Sequence, residues 1–319
     1  MRYRLHGVTV MSELALPGVR KSSSPDQIAI EVAGPPHASP IDAFHYWRLK
    51  GMPRSRPWLS IARAEGGYLL RFPELADFDV SAGGDRIVCR PRPRLAASTL
   101  VHLLLDQVLP LALSRRGQLV LHASAVHIPR LGAVAFAGST GSGKSTLAAA
   151  LGLDDCQVIT DDCLAIDVGV PPLALPGYPG LRLWRDAARS LQIERHTDGP
   201  VAHYTSKRRF QRDAVRFRSA TSPLAAVFVL GRRRTSGATR AHPLASRDGL
   251  MALASFVHVL DVEDRRQLAE MFRGLTSLVT CVPVARLNLR DGRRQVRGAA
   301  TEVLAIARSL AAPAMINRK

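Results

Sequence analysis

The first 96 residues alternate between short apolar or β-prone runs and clusters of turn-forming residues. The runs are YRLHGVTV, QIAIEVA, WLSIARAEGGYLLRF and DRIVCRPRP. Between them lie clusters such as KSSSPDQ at 21–27 and AGPPHASP at 33–40, and Gly, Pro and Ser at this density are typical of surface loops. Short β-prone runs bounded by such loops predict strands, so we expect an N-terminal β-rich region.

The pattern changes near residue 97, where a long apolar stretch begins. This stretch predicts a helix from Ala97 to Ser114. Its most apolar part is interrupted by His102, Asp106 and Pro110. These interruptions favour the core helix of a soluble protein over a membrane span.

Beyond this helix the pattern becomes strand, loop, helix, strand. GQLVLHASAVHI and LGAVAFAG predict strands, STLAAALGL a helix and CQVITDD a buried strand. This order is typical of an α/β core that binds its ligand at the carboxyl end of a strand. We therefore predict an α/β protein in two parts. Residues 1–115 form the β-rich region, which ends in a helix and is a candidate for substrate recognition, and residues 116–319 form a mixed-sheet domain.

Composition is that of a globular chain. The 319 residues, 46% of them hydrophobic, suffice for one large domain or two modest ones. The opening MRYRLHGVTV lacks the organisation of a signal peptide, and the four cysteines form no CxxC pair and no zinc spacing. We therefore expect a cytoplasmic protein that does not bind membranes.

The net charge of +18 comes mostly from arginine, which clusters at 207–218, 231–234 and 290–297. Such clusters can neutralise nucleic-acid phosphates. However, no nucleic-acid-binding module is recognisable, and an aromatic content of 5% leaves little for base stacking. A solvated arginine-rich surface explains the charge best, followed by attraction of an acidic substrate or nucleotide, and nucleic-acid binding is not expected.

A complete Walker A pattern, GSTGSGKS, lies between the second strand and its helix. Its residues, with the following threonine, are Gly138, Ser139, Thr140, Gly141, Ser142, Gly143, Lys144, Ser145 and Thr146. The glycines let successive backbone N–H groups point at phosphate oxygens, and the helix adds its positive end. Lys144 is expected to reach the terminal phosphates and the Ser145 hydroxyl to bind Mg²⁺. The pattern predicts that the protein binds a nucleoside triphosphate such as ATP.

Two aspartates follow the loop unusually soon. Asp161 and Asp162 come seventeen and eighteen residues after Lys144, room for one helix and one return strand. At a strand end beside the terminal phosphate, one carboxylate can hold Mg²⁺ and the other can accept a hydroxyl proton. The alternative is that the pair merely caps its strand. His122, on the strand before the loop strand, is either a core residue or a third member of the site.

Together, LHASAV, AFAGSTGSGKSTLA and ITDDCLAID resemble the HPr kinase/phosphorylase family over residues 117–185. The resemblance implies a P-loop-containing core like that of phosphoenolpyruvate carboxykinase, ATP and Mg²⁺ as cofactors, and phosphorylation of a protein serine. It also implies that His122 is catalytic and that Asp162 accepts the proton. The family's glutamate is missing from LPGYPGLRLWRDAARSL, so the reverse, phosphorylase reaction is not expected.

Less specific residues resemble one branch of that family. PGYPGLRLW, the opening YRLHGVTVMSELALPGV and KRR at 207–209 are similar to the kinases encoded with lasso-peptide biosynthesis genes. Those enzymes phosphorylate a precursor peptide on a serine near its C-terminus. Candidates for gripping phosphate or a substrate carboxylate are Arg182, Lys207, Arg208 and Arg209, since the arginine fork suits both groups.

The sequence thus predicts an ATP-dependent serine kinase for a peptide or small protein. The alternatives are a kinase/phosphorylase of an HPr-like carrier protein and a nucleotide-binding regulatory module. A homo-oligomer is compatible with either activity.

Overall fold

A computed structural model describes residues 1–47, 57–202, 204–210, 214–231, 238–289 and 296–316. Parts of the three basic clusters, at 211–213, 232–234 and 290–295, lie outside these residues. The chain divides into two compact units, Met1–Arg116 and Gly117–Lys319. Both contain β-sheet and helix, and the predicted mixed α/β class is confirmed.

The first unit is built on one sheet, whose described strands run in the order β3-β1-β2-β4-β9-β8-β7-β6-β5. The strands are β1 (Arg2–Leu5), β2 (Val8–Ser12), β3 (Arg20–Lys21), β4 (Ile28–Val32), β5 (His45–Trp47), β6 (Leu59–Ala64), β7 (Gly67–Phe72), β8 (Ala76–Ser81) and β9 (Arg86–Pro91). YRLHGVTV is a hairpin, because His6 and Gly7 both adopt positive φ, 51° and 77°. Two consecutive positive φ angles are those of the tight turn that matches strand twist.

The predicted helix forms α1 (Ala97–Arg115), with a π-helical turn over Leu104–Val108 just before Pro110. In the described part of the chain it is the one helix long and apolar enough to cross a membrane, and 78% of its most apolar window is buried. Burial to this extent is what the core helix of a soluble protein shows.

The second unit contains a mixed sheet with helices on both faces and a small separate sheet. Its strands are β10 (Leu119–Leu121), β11 (Ala123–Ile128), β12 (Gly132–Ala137), β13 (Gln157–Thr160), β14 (Leu164–Asp167), β15 (Leu173–Ala174), β16 (Leu181–Leu183), β17 (Thr197–Pro200), β18 (Arg208–Phe210), β19 (Ser222–Leu230), β20 (Arg240–Pro243) and β21 (Val284–Asn288). Its α-helices are α2 (Lys144–Gly152), α3 (Arg185–Ser190), α4 (Ser246–Ala254), α5 (Arg265–Cys281) and α6 (Val296–Ile316).

The central strand β12 is buried on both faces, which explains its unbroken apolar run GAVAFA. Val134 and Phe136 pack with Leu147 of α2 and Val303 of α6. Ala133, Ala135 and Ala137 pack on the opposite face, in a cluster that includes Leu275 and Leu278 of α5. Side chains alternate between the faces of a strand, so one short segment supplies two cores.

The directions of the strands determine which strand ends lie together at one edge of the sheet. β11 is antiparallel to both β12 and β13, between which it lies. β12 and β13 therefore point the same way, and their carboxyl ends share one sheet edge with the start of β11. β19 and β21 continue the sheet beyond β12 in parallel. Three further strands, β16, β18 and β17, form a small separate sheet.

The segment GQLVLHASAVHI is not one strand, as the sequence predicts, but two. It breaks at His122, whose backbone N–H donates to the Phe256 carbonyl at 2.6 Å. The two strands on either side of His122 pair with different partners: β10 pairs with β14, whereas β11 pairs with β12 and β13. The break places His122 directly at the sheet edge described above.

Candidate active site

Three sequence signals converge at this edge of the sheet. The glycine-rich loop follows β12, the aspartate pair follows β13, and His122 directly precedes β11. The register places Ala123 opposite Ala137 and Ala125 opposite Thr160. His122 and the following strand therefore lie between the loop and the two aspartates.

The loop has the backbone shape that its glycines permit. Gly141 and Gly143 have φ of 83° and 106°, in the region that favours glycine. The Ser142 N–H donates to the Ser139 carbonyl at 3.1 Å, which tightens the turn. A Cβ at Gly138 would lie 2.8 Å from Ser142 Oγ, so that position admits only glycine without a shift.

The tip of the loop is exposed and its end begins a helix. Ser139, Thr140 and Gly141 are exposed, whereas Ser145 and Thr146 are half-buried in the first turn of α2. Helix α2 starts at Lys144, after Gly143. The unpaired N–H groups of that first turn make this end of the helix favourable for an anion.

Lys144 is buried within the loop and joins it to the neighbouring strand. Its ammonium donates to the Gly138 carbonyl at 2.8 Å and lies 3.1 Å from Nε2 of His122. Burial lowers the pKa of Lys144, while the charges of Asp162 and Asp161 oppose the shift. The ammonium is thus held in the loop by the Gly138 carbonyl and the His122 ring, in the field of two nearby carboxylates.

His122 acts as an acceptor in this contact. An ammonium can only donate, so Nε2 of His122 accepts and the ring is neutral, with its proton on Nδ1. Burial lowers the pKa of His122, although the Asp162 carboxylate opposes the shift. Both observations describe a neutral imidazole beside a cation.

Asp161 is anchored by two hydrogen bonds. It is 3% exposed, its Oδ1 accepts from Ser124 Oγ at 2.7 Å and its Oδ2 from the Arg182 N–H at 3.0 Å. Burial raises the pKa of Asp161, and the charge of Asp162 adds to the rise. Asp161 therefore links β11, β13 and the start of β16.

Asp162 is the more accessible carboxylate of the pair. Its φ of 62° is left-handed, a conformation that aspartate tolerates better than most residues. Its Oδ2 lies 3.8 Å from Lys207 Nζ. Burial alone would raise the pKa of Asp162, but the surrounding cations, Lys207 foremost, lower it below its ordinary value. Asp162 is an ionised acceptor facing several positive groups.

Of the four basic substrate candidates, two contribute directly at the aspartate pair. Arg182 is buried, with its guanidinium 5.7 Å from the centre of the Tyr178 ring, and Lys207 contacts Asp162. Arg209 lies opposite Arg182 in the small sheet and shares its face. Arg208 lies on the opposite face of the small sheet from Arg182 and Arg209.

Sequence reasoning missed several residues of the site. His258 lies with its ring 6.0 Å from that of His122, edge to face, because the backbone of 256–258 pairs beside β10. No local pattern marks His258. Ser124, two residues after His122, could have been found from the sequence, since a hydroxyl within an otherwise apolar, buried strand needs a polar partner.

The donors present suit magnesium. Within the described residues, no group of three or more His, Cys, Asp and Glu side chains could hold a metal ion. Magnesium, however, usually binds through one or two carboxylates together with substrate phosphates and water. The Ser145 hydroxyl and the aspartate pair are oxygen donors of that kind, with Asp162 as the accessible carboxylate.

Comparisons with known proteins find likeness in structure only among solved proteins. No protein-family model matches the chain, and no curated protein matches it. The solved HPr(Ser) kinase/phosphatase from Coxiella burnetii is similar at 13% sequence identity and a TM-score of 0.30, covering 59% of this chain and 89% of that chain. A TM-score this low carries no argument about function, so any functional conclusion rests on the residues of the site.

Proposed function

We propose that this protein is an ATP- and Mg²⁺-dependent kinase that phosphorylates a serine of a peptide or small protein. The observation that carries the proposal is that an ionised Asp162 and Lys144 of the glycine-rich loop lie at one sheet edge. A phosphate-binding loop alone would suit any nucleotide-binding protein. A carboxylate beside that loop adds an acceptor for a hydroxyl proton.

The loop and Lys144 would hold the triphosphate. The loop N–H groups and the start of α2 face an anion favourably, and the Lys144 ammonium supplies a positive charge. Ser145 would hold Mg²⁺ together with phosphate oxygens and water, so that the Asp162 carboxylate stays available for the serine proton. The ion neutralises phosphate charge when bound. Because phosphoryl transfer has a loose transition state, positioning and charge neutralisation supply most of the catalysis.

Asp162 would serve as the proton acceptor. The serine oxygen forms a bond to the γ-phosphorus while the bond from that phosphorus to the β–γ bridging oxygen of ATP breaks, and the serine proton passes to Asp162. ADP and a phosphoserine are the products. Bound phosphates would partly neutralise Lys144 and Lys207, the cations that lower the Asp162 pKa, and would thereby increase its affinity for the proton.

His122 and Asp161 would position these groups. The neutral imidazole of His122 accepts from Lys144 and so orients the ammonium toward the phosphates. Asp161 holds the backbone of Arg182 and the hydroxyl of Ser124, which keeps the strand end carrying Asp162 in place.

For the acceptor, we propose a lasso-peptide precursor with a serine near its C-terminus. The resemblance of PGYPGLRLW and KRR to that branch of kinases supports this choice. An HPr-like carrier protein is the alternative acceptor, and the missing glutamate in 175–190 argues against the reverse reaction on it.

Incubation with γ-labelled ATP tests the proposal. The acceptors are a panel of peptides ending in serine and an HPr-like protein, with Lys144→Ala as the variant expected to lose nucleotide binding. We expect label on serine of at least one peptide. Tight ATP binding without transfer to any acceptor would contradict the kinase and indicate a nucleotide-binding regulatory module.

A further inference from the structure

An aromatic and cationic surface lies beside Asp162, built from the segment PGYPGLRLW and the residues before β18. Gly177 N–H donates to the Ile159 carbonyl at 3.2 Å, which ties the segment to the end of β13. Tyr178 and Arg182 pack together below the surface, both of them buried. Trp184, at the start of α3, stays 41% exposed.

Lys207 connects the exposed tryptophan to the candidate base. Its ammonium lies 5.7 Å from the centre of the Trp184 ring and 3.8 Å from Asp162 Oδ2. The distance from the centre of the Trp184 ring to Asp162 Oδ2 therefore cannot exceed the sum of these two distances. A side chain that reached Asp162 from this direction would pass over the indole and the ammonium.

The charge around this surface selects for an acidic ligand. Arg182 and Arg209 lie opposite each other on one face of the small sheet. Lys207 directly precedes the strand that carries Arg209, and the chain as a whole carries a net charge of +18. The Arg182 guanidinium already lies beside Tyr178. Lys207 is therefore the cation beside the exposed indole that a ligand carboxylate would meet first.

We propose that Trp184 and Lys207 form the acceptor subsite, and that this subsite takes an acidic peptide whose carboxylate lies next to the acceptor serine. The peptide carboxylate pairs with Lys207, and the peptide chain packs on the indole face. The Lys207 ammonium then interacts with both the peptide carboxylate and Asp162. Acceptor binding therefore weakens the interaction of Lys207 with Asp162. The inference rests on the proposed kinase function and names the substrate class of that same site.

The test uses two serine peptide libraries, randomised at other positions, that differ only in whether the residues flanking the serine are acidic or the matching amides. The wild type should phosphorylate the acidic library at least about tenfold more efficiently, the worth of one ion pair in a partly buried site. Lys207→Gln should bring that ratio close to one. The ratio is taken within each variant, so an effect of Lys207→Gln on Asp162 itself cancels.

Trp184 is tested by steady-state kinetics on the acidic library. Trp184→Ala should raise the acceptor KM about tenfold and change kcat far less, because it removes ground-state contact, and Trp184→Phe should restore most of the affinity. The matched controls are Phe272→Ala, a similarly exposed aromatic on α5, and Lys21→Gln, an exposed lysine of the first unit. Neither control should change KM or the ratio.

The outcomes separate this inference from the kinase proposal. Phosphorylation of both libraries without acidic preference, or a preference that survives Lys207→Gln, would overturn the subsite and leave the kinase standing. ATP binding without phosphorylation of either library would overturn the kinase and this inference with it.

Discussion

The Lys144 ammonium and Nε2 of His122 lie 3.1 Å apart, and this contact joins the phosphate loop to the neighbouring strand edge. The contact requires a neutral imidazole, since a protonated ring would offer the ammonium only N–H groups. Nucleotide binding and the protonation of His122 are therefore expected to depend on each other.

His122→Gln should make stability less sensitive to acid. Burial lowers the folded-state pKa of His122 below its ordinary value of 6.5. Below that pH the unfolded chain binds a proton here that the folded chain does not, so stability falls as the pH falls. Glutamine does not titrate. The free energy of unfolding, measured by denaturant titration at several pH values from neutral to about 5, should fall more steeply for the wild type. Parallel slopes would contradict the lowered pKa.

Asp162→Asn should lower kcat by roughly 10²- to 10⁴-fold, the span expected for a positioned general base. Asparagine keeps the shape and one acceptor oxygen but removes the charge and the proton affinity. ATP affinity should change little, and serine phosphorylation is the measurement, because background hydrolysis with water needs no base. A kcat within a few-fold of the wild type would remove Asp162 from the mechanism.

Asp161→Asn should act on stability more than Asp162→Asn does. Both Asp161 oxygens accept hydrogen bonds, from Ser124 and from the Arg182 backbone. An amide oxygen can accept from only one of them. With that oxygen on the Arg182 N–H, the NH₂ faces the Ser124 hydroxyl, whose proton then loses its acceptor, and loss of this buried hydrogen bond to a charged group costs about 1–3 kcal/mol. Thermal melts of both variants compare them directly. Equal melting temperatures would show that the anchoring is unimportant.

His258→Ala should weaken phosphoryl transfer by way of His122. The two rings meet edge to face at 6.0 Å, and such pairs contribute about 0.5–1.5 kcal/mol. A double-mutant cycle with His122→Ala, read as kcat/KM for the acceptor, should therefore show a coupling energy of that size. Additive effects would mean that the ring of His258 does not position His122.

Gly180→Ala should destabilise the segment that holds Arg182. A Cβ at this position would lie 2.6 Å from the ring of Tyr178, and that ring is buried. Relieving such overpacking costs about 1–3 kcal/mol. Gly34→Ala is the matched control, because its Cβ would meet nothing within 4 Å. Equal melting temperatures for the two variants would show that Tyr178 moves freely.

The local features of the site could be predicted from the sequence. The phosphate loop is made of consecutive residues, so their backbone geometry follows from the glycines themselves. The strands before and after the loop, and the helix at Lys144, follow from apolar runs and turn residues in the same short segment. The spacing after the loop also marked Asp162, and the preceding strand marked His122, while the resemblance supplied their roles; the fold brings both residues to one edge.

Only the tertiary structure decided which strands are neighbours and which way they run. β11 lies antiparallel between β12 and β13, and this pairing, which no local pattern contains, brings His122 to Lys144. The break at His122 needs the carbonyl of Phe256, and Lys207 reaches both Asp162 and Trp184 only because β16 and β18 pair. Features formed by adjacent residues, such as the phosphate loop, can be recognised in the sequence. Contacts between distant residues depend on the packing of the whole chain, which is why the positions of His258 beside His122 and of Trp184 beside Lys207 could not be foreseen.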